Sequence, residues 1–106
     1  MRRSTVKVMH QDPPRDLANA IERARSLLTD ADRALLEAKP LPEAIWTLHL
    51  TLGHRLRDAL GLWSDDALDL FKDISQRMPD HLALDADAAS SALIAALWQE
   101  LNCEAP

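Results

Sequence analysis

Cysteine occurs once, at Cys103, so no disulfide can close within this chain and a covalently stapled fold is excluded. A lone thiol suits a reducing compartment. Met1-Arg-Arg is charged but no apolar run follows it, so no signal peptide is expected and the expected location is cytoplasmic. No apolar stretch approaches the ~20 residues of a membrane span, and no membrane role is expected. Glycine is scarce, with two residues, and the six prolines gather at a few positions. Few turns mean few elements, and helices use up chain fastest. Basic clusters are missing too, apart from Arg2, Arg3 and Lys7 near the start. With a net charge of −5, the chain lacks the basic surface that sequence-independent nucleic-acid binding requires. Setting those three residues aside leaves the remainder at about −8, so a basic protein is a better-matched partner than nucleic acid or an anionic membrane.

What is present is the ordinary material of one globular domain: 106 residues, 47% hydrophobic and 27% charged. Residues 1–11 show no helical period and read as a flexible basic arm, 12–102 as a helical domain, and 103–106 as a frayed tail. Asp12 is placed to cap a first helix that Pro13 and Pro14 open, with Leu17, Ala20, Ile21, Ala24 and Leu28 on one stripe. Thr29 and Asp32 have capping-box spacing ahead of a second, short helix that stops before Pro40 and Pro42. The third helix, 41–60, carries two apolar stripes. Ile45, Leu48, Leu52, Leu56 and Ala59 form one; Trp46, Leu50, Gly53 and Leu60 form the other. A helix apolar on two sides packs on two sides, so it is expected at the centre of the fold. Gly61 stops it, and Ser64 caps a fourth helix with Leu68, Phe71, Ile74 and Met78 on its buried side. Asp85 or Asp87 opens the last helix, with the stripe Ala89, Leu93, Ala96, Leu97 and Leu101. The expected fold is all-α, a single-domain compact bundle of about five helices around 41–60.

The sharpest local feature is the ridge His49, Gly53 and Arg57, spaced four apart on one helix face. A glycine inside a helix costs about 1 kcal/mol relative to alanine, so another backbone or a ligand is expected to approach there. Two readings stay open: Gly53 admits a neighbouring helix while His49 and Arg57 satisfy helix ends, or the three floor a binding groove. Arg57 also stands near the Gly61-Leu62-Trp63 turn, where it can clamp carbonyls, Asp65 or Asp66. Trp63 reads as a lid on the core, or as a contact surface if its indole is exposed. His54 and Asp58, four apart, read as a surface pair. No metal site is expected, because His49 and His54 face different ways and His10 and His81 stand apart. Cys103, Ser90 and Ser91 lack the setting of a nucleophile, so no catalytic residue and no cofactor are expected.

The run His49-x-x-Leu52-Gly53-x-x-Leu56-Arg57-Asp58-x-x-Gly61-Leu62-Trp63 resembles the signature of a family of small bacterial helical domains of unknown function. That signature reads H-x-x-L-G-x-x-I-R-N followed closely by L-W; Asp58 stands where the pattern has Asn. Pro14-x-x-Leu17-x-x-Ala20-Ile21 resembles the family's opening helix, and Asp87-x-x-Ser90-x-x-Leu93-Ile94 its later acidic-serine stretch. The resemblance implies that His49, Gly53, Arg57, Trp63, Asp87 and Ser90 belong to one shared site or one fold-defining network, and it brings no known activity. Together with Asp58 these are the candidate binding residues. The leading functional expectation is a non-catalytic, acidic protein-binding module of the immunity or inhibitor kind. The alternative is a small-ligand or enzyme-like pocket floored by His49, Gly53 and Arg57, and a third expectation is a homodimer through Trp98 or Trp46.

Overall fold

The fold is described by a computed structural model over residues 13–102. The basic arm, His10, the Asp12 cap, Cys103 and the 103–106 tail lie outside the described residues. Six α-helices and no strand occur among the described residues: α1 Leu17–Arg25, α2 Asp30–Ala38, α3 Leu41–Leu48, α4 Leu52–Ala59, α5 Leu68–Arg77 and α6 Ala86–Asn102. A 3-10 turn, Asp65–Ala67, leads into α5. The described residues are therefore all-helical, as composition and periodicity imply.

Local chemistry sets most boundaries. Asp16 caps α1 by accepting from the Asn19 amide at 2.8 Å, so the helix starts after both prolines. The Thr29–Asp32 capping box forms in full: the Asp32 amide donates to Thr29 Oγ1 and the Thr29 amide to Asp32 Oδ2, both at 3.0 Å. Pro42 sits in the first turn of α3, where its missing N–H is not needed. α4 ends in a Schellman motif. The Leu62 amide donates to the Arg57 carbonyl, the Gly61 amide to the Asp58 carbonyl, and Gly61 takes φ 67°, which glycine adopts without strain. Ser64 caps the 3-10 turn rather than α5 itself. Asp85 opens α6 by accepting from the Ala88 amide at 2.8 Å.

Three expectations are corrected. Residues 41–60 are not one helix, because the chain breaks at His49, Leu50 and Thr51 between α3 and α4. The Thr51 hydroxyl donates to the Leu48 carbonyl at 3.5 Å and Nδ1 of His49 lies 2.6 Å from the Trp46 carbonyl, closing the end of α3 with side chains. The break swings Leu50 out to 71% exposure while Leu48, Leu52 and Leu56 stay buried. Nor is 41–60 the element around which the others pack. That element is α6, which contacts each of α1 to α5. Nine of its positions are buried, and five of them (Ala86, Ala89, Ala92, Ala95 and Ala96) are alanine, which lets neighbouring helices approach closely on several sides. On α5, Leu68 is exposed and Leu70 takes the buried place beside Phe71 and Ile74.

Side chains from one helix close the ends of others. Trp98 Nε1 donates to the Lys39 carbonyl at 2.7 Å and Asn102 Nδ2 to the Leu36 carbonyl at 2.8 Å, tying α6 to the end of α2. Asp73 on α5 accepts the Leu17 amide at the start of α1 at 2.7 Å. Arg55 on α4 reaches the Leu27 carbonyl and, at 2.6 Å, Asp32. Burial pushes the Asp32 carboxyl up, but hydrogen bonds from the Thr29 amide and from Arg55 outweigh it and hold the group below the ordinary carboxylate range. Asp73 is also held low, first by the Leu17 amide and then by Arg77, against the opposing effect of burial.

Because both carboxyls are depressed in the folded chain, their stabilisation is present above the ordinary carboxyl pKa and lost as pH falls through it. Thermal unfolding followed by circular dichroism should show a melting temperature that drops below about pH 4. Asp32→Asn should cost about 2 kcal/mol near neutrality, through the lost cap and ion pair, and reduce the acid sensitivity.

Candidate functional site

The break between α3 and α4 creates the setting for the one buried arginine among the described residues. The carbonyl of His49 has no place in a continuous helix there, and Arg57 on α4 reaches back to it through Nη1 at 3.4 Å. The same nitrogen donates to Ser90 Oγ on α6 at 3.0 Å. The Ser90 hydroxyl in turn donates to the Asp87 carbonyl at 2.9 Å, so both its roles are filled. Asp87 Oδ1 lies 3.3 Å from Nη1, an ion pair between a side chain 8% exposed and one 79% exposed. Guanidinium Nε is buried and has no hydrogen-bond partner among the described residues.

Gly53 makes room for this arrangement. A Cβ at position 53 would lie 3.0 Å from Arg57 Nη1 and 3.6 Å from both Ser90 Oγ and the Leu48 carbonyl. The expected close approach is real, and the approaching group is the guanidinium with Ser90 of α6 behind it. Above the guanidinium lies the Trp63 ring, 5.7 Å from Cζ, a cation–π contact worth about 0.5–1 kcal/mol where exposed. The Schellman turn puts Leu62 into the core and leaves Trp63 64% exposed, so Trp63 is a surface residue and not a core lid. Its Nε1 donates to Asp58 Oδ1 at 3.3 Å, and Asp58 Oδ2 pairs with His54 Nε2 at 3.1 Å, the surface pair that the spacing implied. Arg57 does not clamp Asp65 or Asp66; those two lie in the 3-10 turn that Ser64 caps.

All seven candidate residues thus meet around one guanidinium: His49 through its carbonyl, Gly53 by yielding space, Ser90 and Asp87 from α6, Trp63 above, and Asp58 through Trp63. The imidazole of His49 faces elsewhere, bonded to the Trp46 carbonyl with its ring centroid 5.2 Å from that of Trp46. Beside the guanidinium runs a cleft of about 280 Å³ lined by Ile45, Trp46, His49, Arg57, Asp87 and Ser91. Trp46, 74% exposed, is the member that sequence reasoning placed elsewhere, on a packing stripe. Its position three residues before His49, on the same helix face, was the signal for it. Among the described residues no group of three His, Cys, Asp or Glu is placed to hold a metal ion.

The pinned guanidinium makes Gly53→Ala a sensitive probe. Alanine helps a helix backbone, but Arg57 cannot retreat without losing Ser90 or the His49 carbonyl. Chemical denaturation should show a net loss of about 1 kcal/mol. In an Arg57→Gln background, where the shorter side chain vacates the space, the same substitution should become neutral or stabilising, a coupling that a double-mutant cycle reads directly.

No curated protein and no solved structure matches this chain. A family model described as "Domain of unknown function (DUF6794)" matches residues 13–101, a span holding the whole Arg57 cluster and all six helices but for the final residue of α6. The chain belongs to the DUF6794 family.

Proposed function

We propose that this protein is a non-catalytic binding module that docks a basic segment of a partner protein on the face built around Arg57. The observation that carries the reading is a pair of exposed indoles held in place by a buried network. Trp46 and Trp63 are 74% and 64% exposed, one against the His49 ring and the other over the Arg57 guanidinium. Large aromatic side chains that are pre-positioned yet uncovered are typical anchors of protein interfaces, because little rotamer freedom remains to be lost on binding.

The charge around the anchors sets the partner's chemistry. Asp58 touches Trp63, Asp87 touches Arg57, and Asp65 and Asp66 follow Trp63 in the chain after Ser64. Lysine or arginine on a partner would find carboxylates at the rim and indole faces at the centre. The whole chain carries −5, which favours a basic protein and repels a phosphate backbone. The lone cysteine and the resemblance to small bacterial domains support a cytoplasmic setting. The run from His49 to Trp63 then serves as the family's signature because it both locks α4 onto α6 and presents Trp63.

Affinity capture from the native host, with the wild-type chain and a Trp46→Ala/Trp63→Ala variant side by side, tests this reading. The expected outcome is one stoichiometric basic protein on the wild type, released by about 0.5 M salt and absent from the double variant. That variant should melt within a few degrees of wild type, since both indoles are exposed. Failure of the wild type to retain a stoichiometric partner, or equal retention by the double variant, would sink it.

A further inference from the structure

Leu68 stands out at the entry to α5. Its spacing puts it with Phe71 and Ile74 on the buried side, yet it is 56% exposed. It lies in a groove of about 400 Å³ that it shares with Asp65, Asp66 and Asp69 and, from the segment ahead of α1, Pro13 and Arg15. Pro14 is fully buried, so the chain is pinned to the fold at this groove. Asp65, Asp66 and Asp69 enter none of the ion pairs among the described residues, and neither does Arg15. The start of a helix suits aspartate through its dipole. That accounts for the three carboxylates but not for a large apolar side chain left in water among them.

The segment that joins the fold at this groove has the complementary chemistry. Twelve residues precede Pro13, outside the described part of the chain. They hold Arg2, Arg3 and Lys7 with no carboxylate before Asp12, and Val6, Val8 and Met9 supply apolar side chains. Val6 and Val8 are two apart and share one side of any extended segment, with Lys7 on the other. Six residues separate Lys7 from Pro13, a reach of about 20 Å when extended. Because Pro13 itself lines the groove, the loop that must close is short and its entropic cost small.

We propose that residues 1–12 fold back onto this groove of their own chain, Val6 and Val8 covering Leu68 while the arm's basic side chains face Asp65, Asp66 and Asp69. The tether holds the arm at an effective concentration in the millimolar range, so it outcompetes the arm of a second copy at ordinary protein concentrations. Surface ion pairs are individually weak and are screened by salt, so the docked arm exchanges with a released one and salt shifts the balance. A basic partner drawn to Asp65 and Asp66 must then displace the arm, which makes the arm a self-ligand at that edge of the surface. Only this consequence rests on the partner-docking reading; the docking of the arm does not.

The test is the rate at which trace trypsin cuts the full chain after Lys7, read by mass spectrometry at low salt, with a free peptide of residues 1–12 as reference. No partner is involved, so its failure leaves the partner reading untouched. Cleavage of a segment that opens and closes rapidly follows the open fraction, so the chain should be cut about tenfold more slowly than the peptide. Asp65→Asn/Asp66→Asn/Asp69→Asn and, separately, Leu68→Ser should each be cut about 5-fold faster than wild type. All four positions are exposed, so both variants should keep the fold and melt close to wild type. Raising salt to about 0.5 M should speed cleavage of wild type and leave the triple Asn variant nearly unchanged. Wild-type cleavage at the peptide's rate would overturn the proposal. So would variants cut at the wild-type rate, which would mean that the folded body merely crowds the arm. Protection that grows with chain concentration would put the arm on a second copy and overturn it as well.

Discussion

Every α-helix leaves four amides and four carbonyls unpaired at its ends. A 90-residue fold of short helices must satisfy many such groups, and this constraint organises the molecule. Five of the six helices have only eight to ten residues, so a large share of their backbone lies in end turns. Water can satisfy the outer ones. The inner ones need side chains, and the side chains come from other helices: Asp73 for the start of α1, Trp98 and Asn102 for the end of α2, Arg55 for the turn after α1, Arg57 for the break after α3. Each of these bonds also fixes where one helix stands against another. Closing the ends and building the tertiary structure are here the same set of contacts.

The centre of that structure is α6, and its role explains why the sequence misled about the core. The third segment looked central because leucine and tryptophan occur on two of its faces. Large apolar residues on two faces can equally mean a break that sends some outward, and Trp46 and Leu50 are the ones sent out. α6 looked like an ordinary stripe because alanine and serine count for little in an apolar pattern. Residues 88–98 nevertheless hold no charged side chain for three turns, which only a helix covered nearly all round tolerates. Small residues there give close approach rather than bulk. The leucines that fill the space come from the partners, among them Leu36, Leu48, Leu52 and Leu56, each worth about 2 kcal/mol on burial.

Features that depend on spacing within one turn were legible. The Thr29–Asp32 box, the Gly61 stop and the His54–Asp58 pair all form, and Ser64 caps the 3-10 turn ahead of the helix it was expected to cap. The His49, Gly53 and Arg57 ridge kept its meaning through a broken helix, because His49 remains in the right-handed helical region at φ −66° and ψ −29° and the phase carries on. What spacing did not reveal was the atom involved. The backbone carbonyl of His49, freed by the break, meets Arg57, and the ring turns to Trp46. Ser90 and Asp87 lie about thirty residues further on, a distance over which periodicity says nothing about contact. Only the likeness to the family's acidic-serine stretch drew them into the candidate set. The capping position of Asp87, displaced by Asp85, freed its carboxylate for the guanidinium.

The structural role of Arg57 rests on a single nitrogen. Nη1 alone carries the fold: it joins the His49 carbonyl at the end of α3 to Ser90 on α6, and Gly53 lacks a side chain so that it can. Had the guanidinium been selected for packing alone, a lysine ammonium placed at Nη1 would supply three donors against the two of Nη1, and would leave no buried, unpaired Nε. Had it been selected for a salt bridge alone, its carboxylate would be expected in the interior, as Asp32 is for Arg55, and not on the surface where solvent weakens the pair. A planar group that is anchored through one nitrogen and keeps a buried, unpaired Nε is rigid, charged and incompletely satisfied.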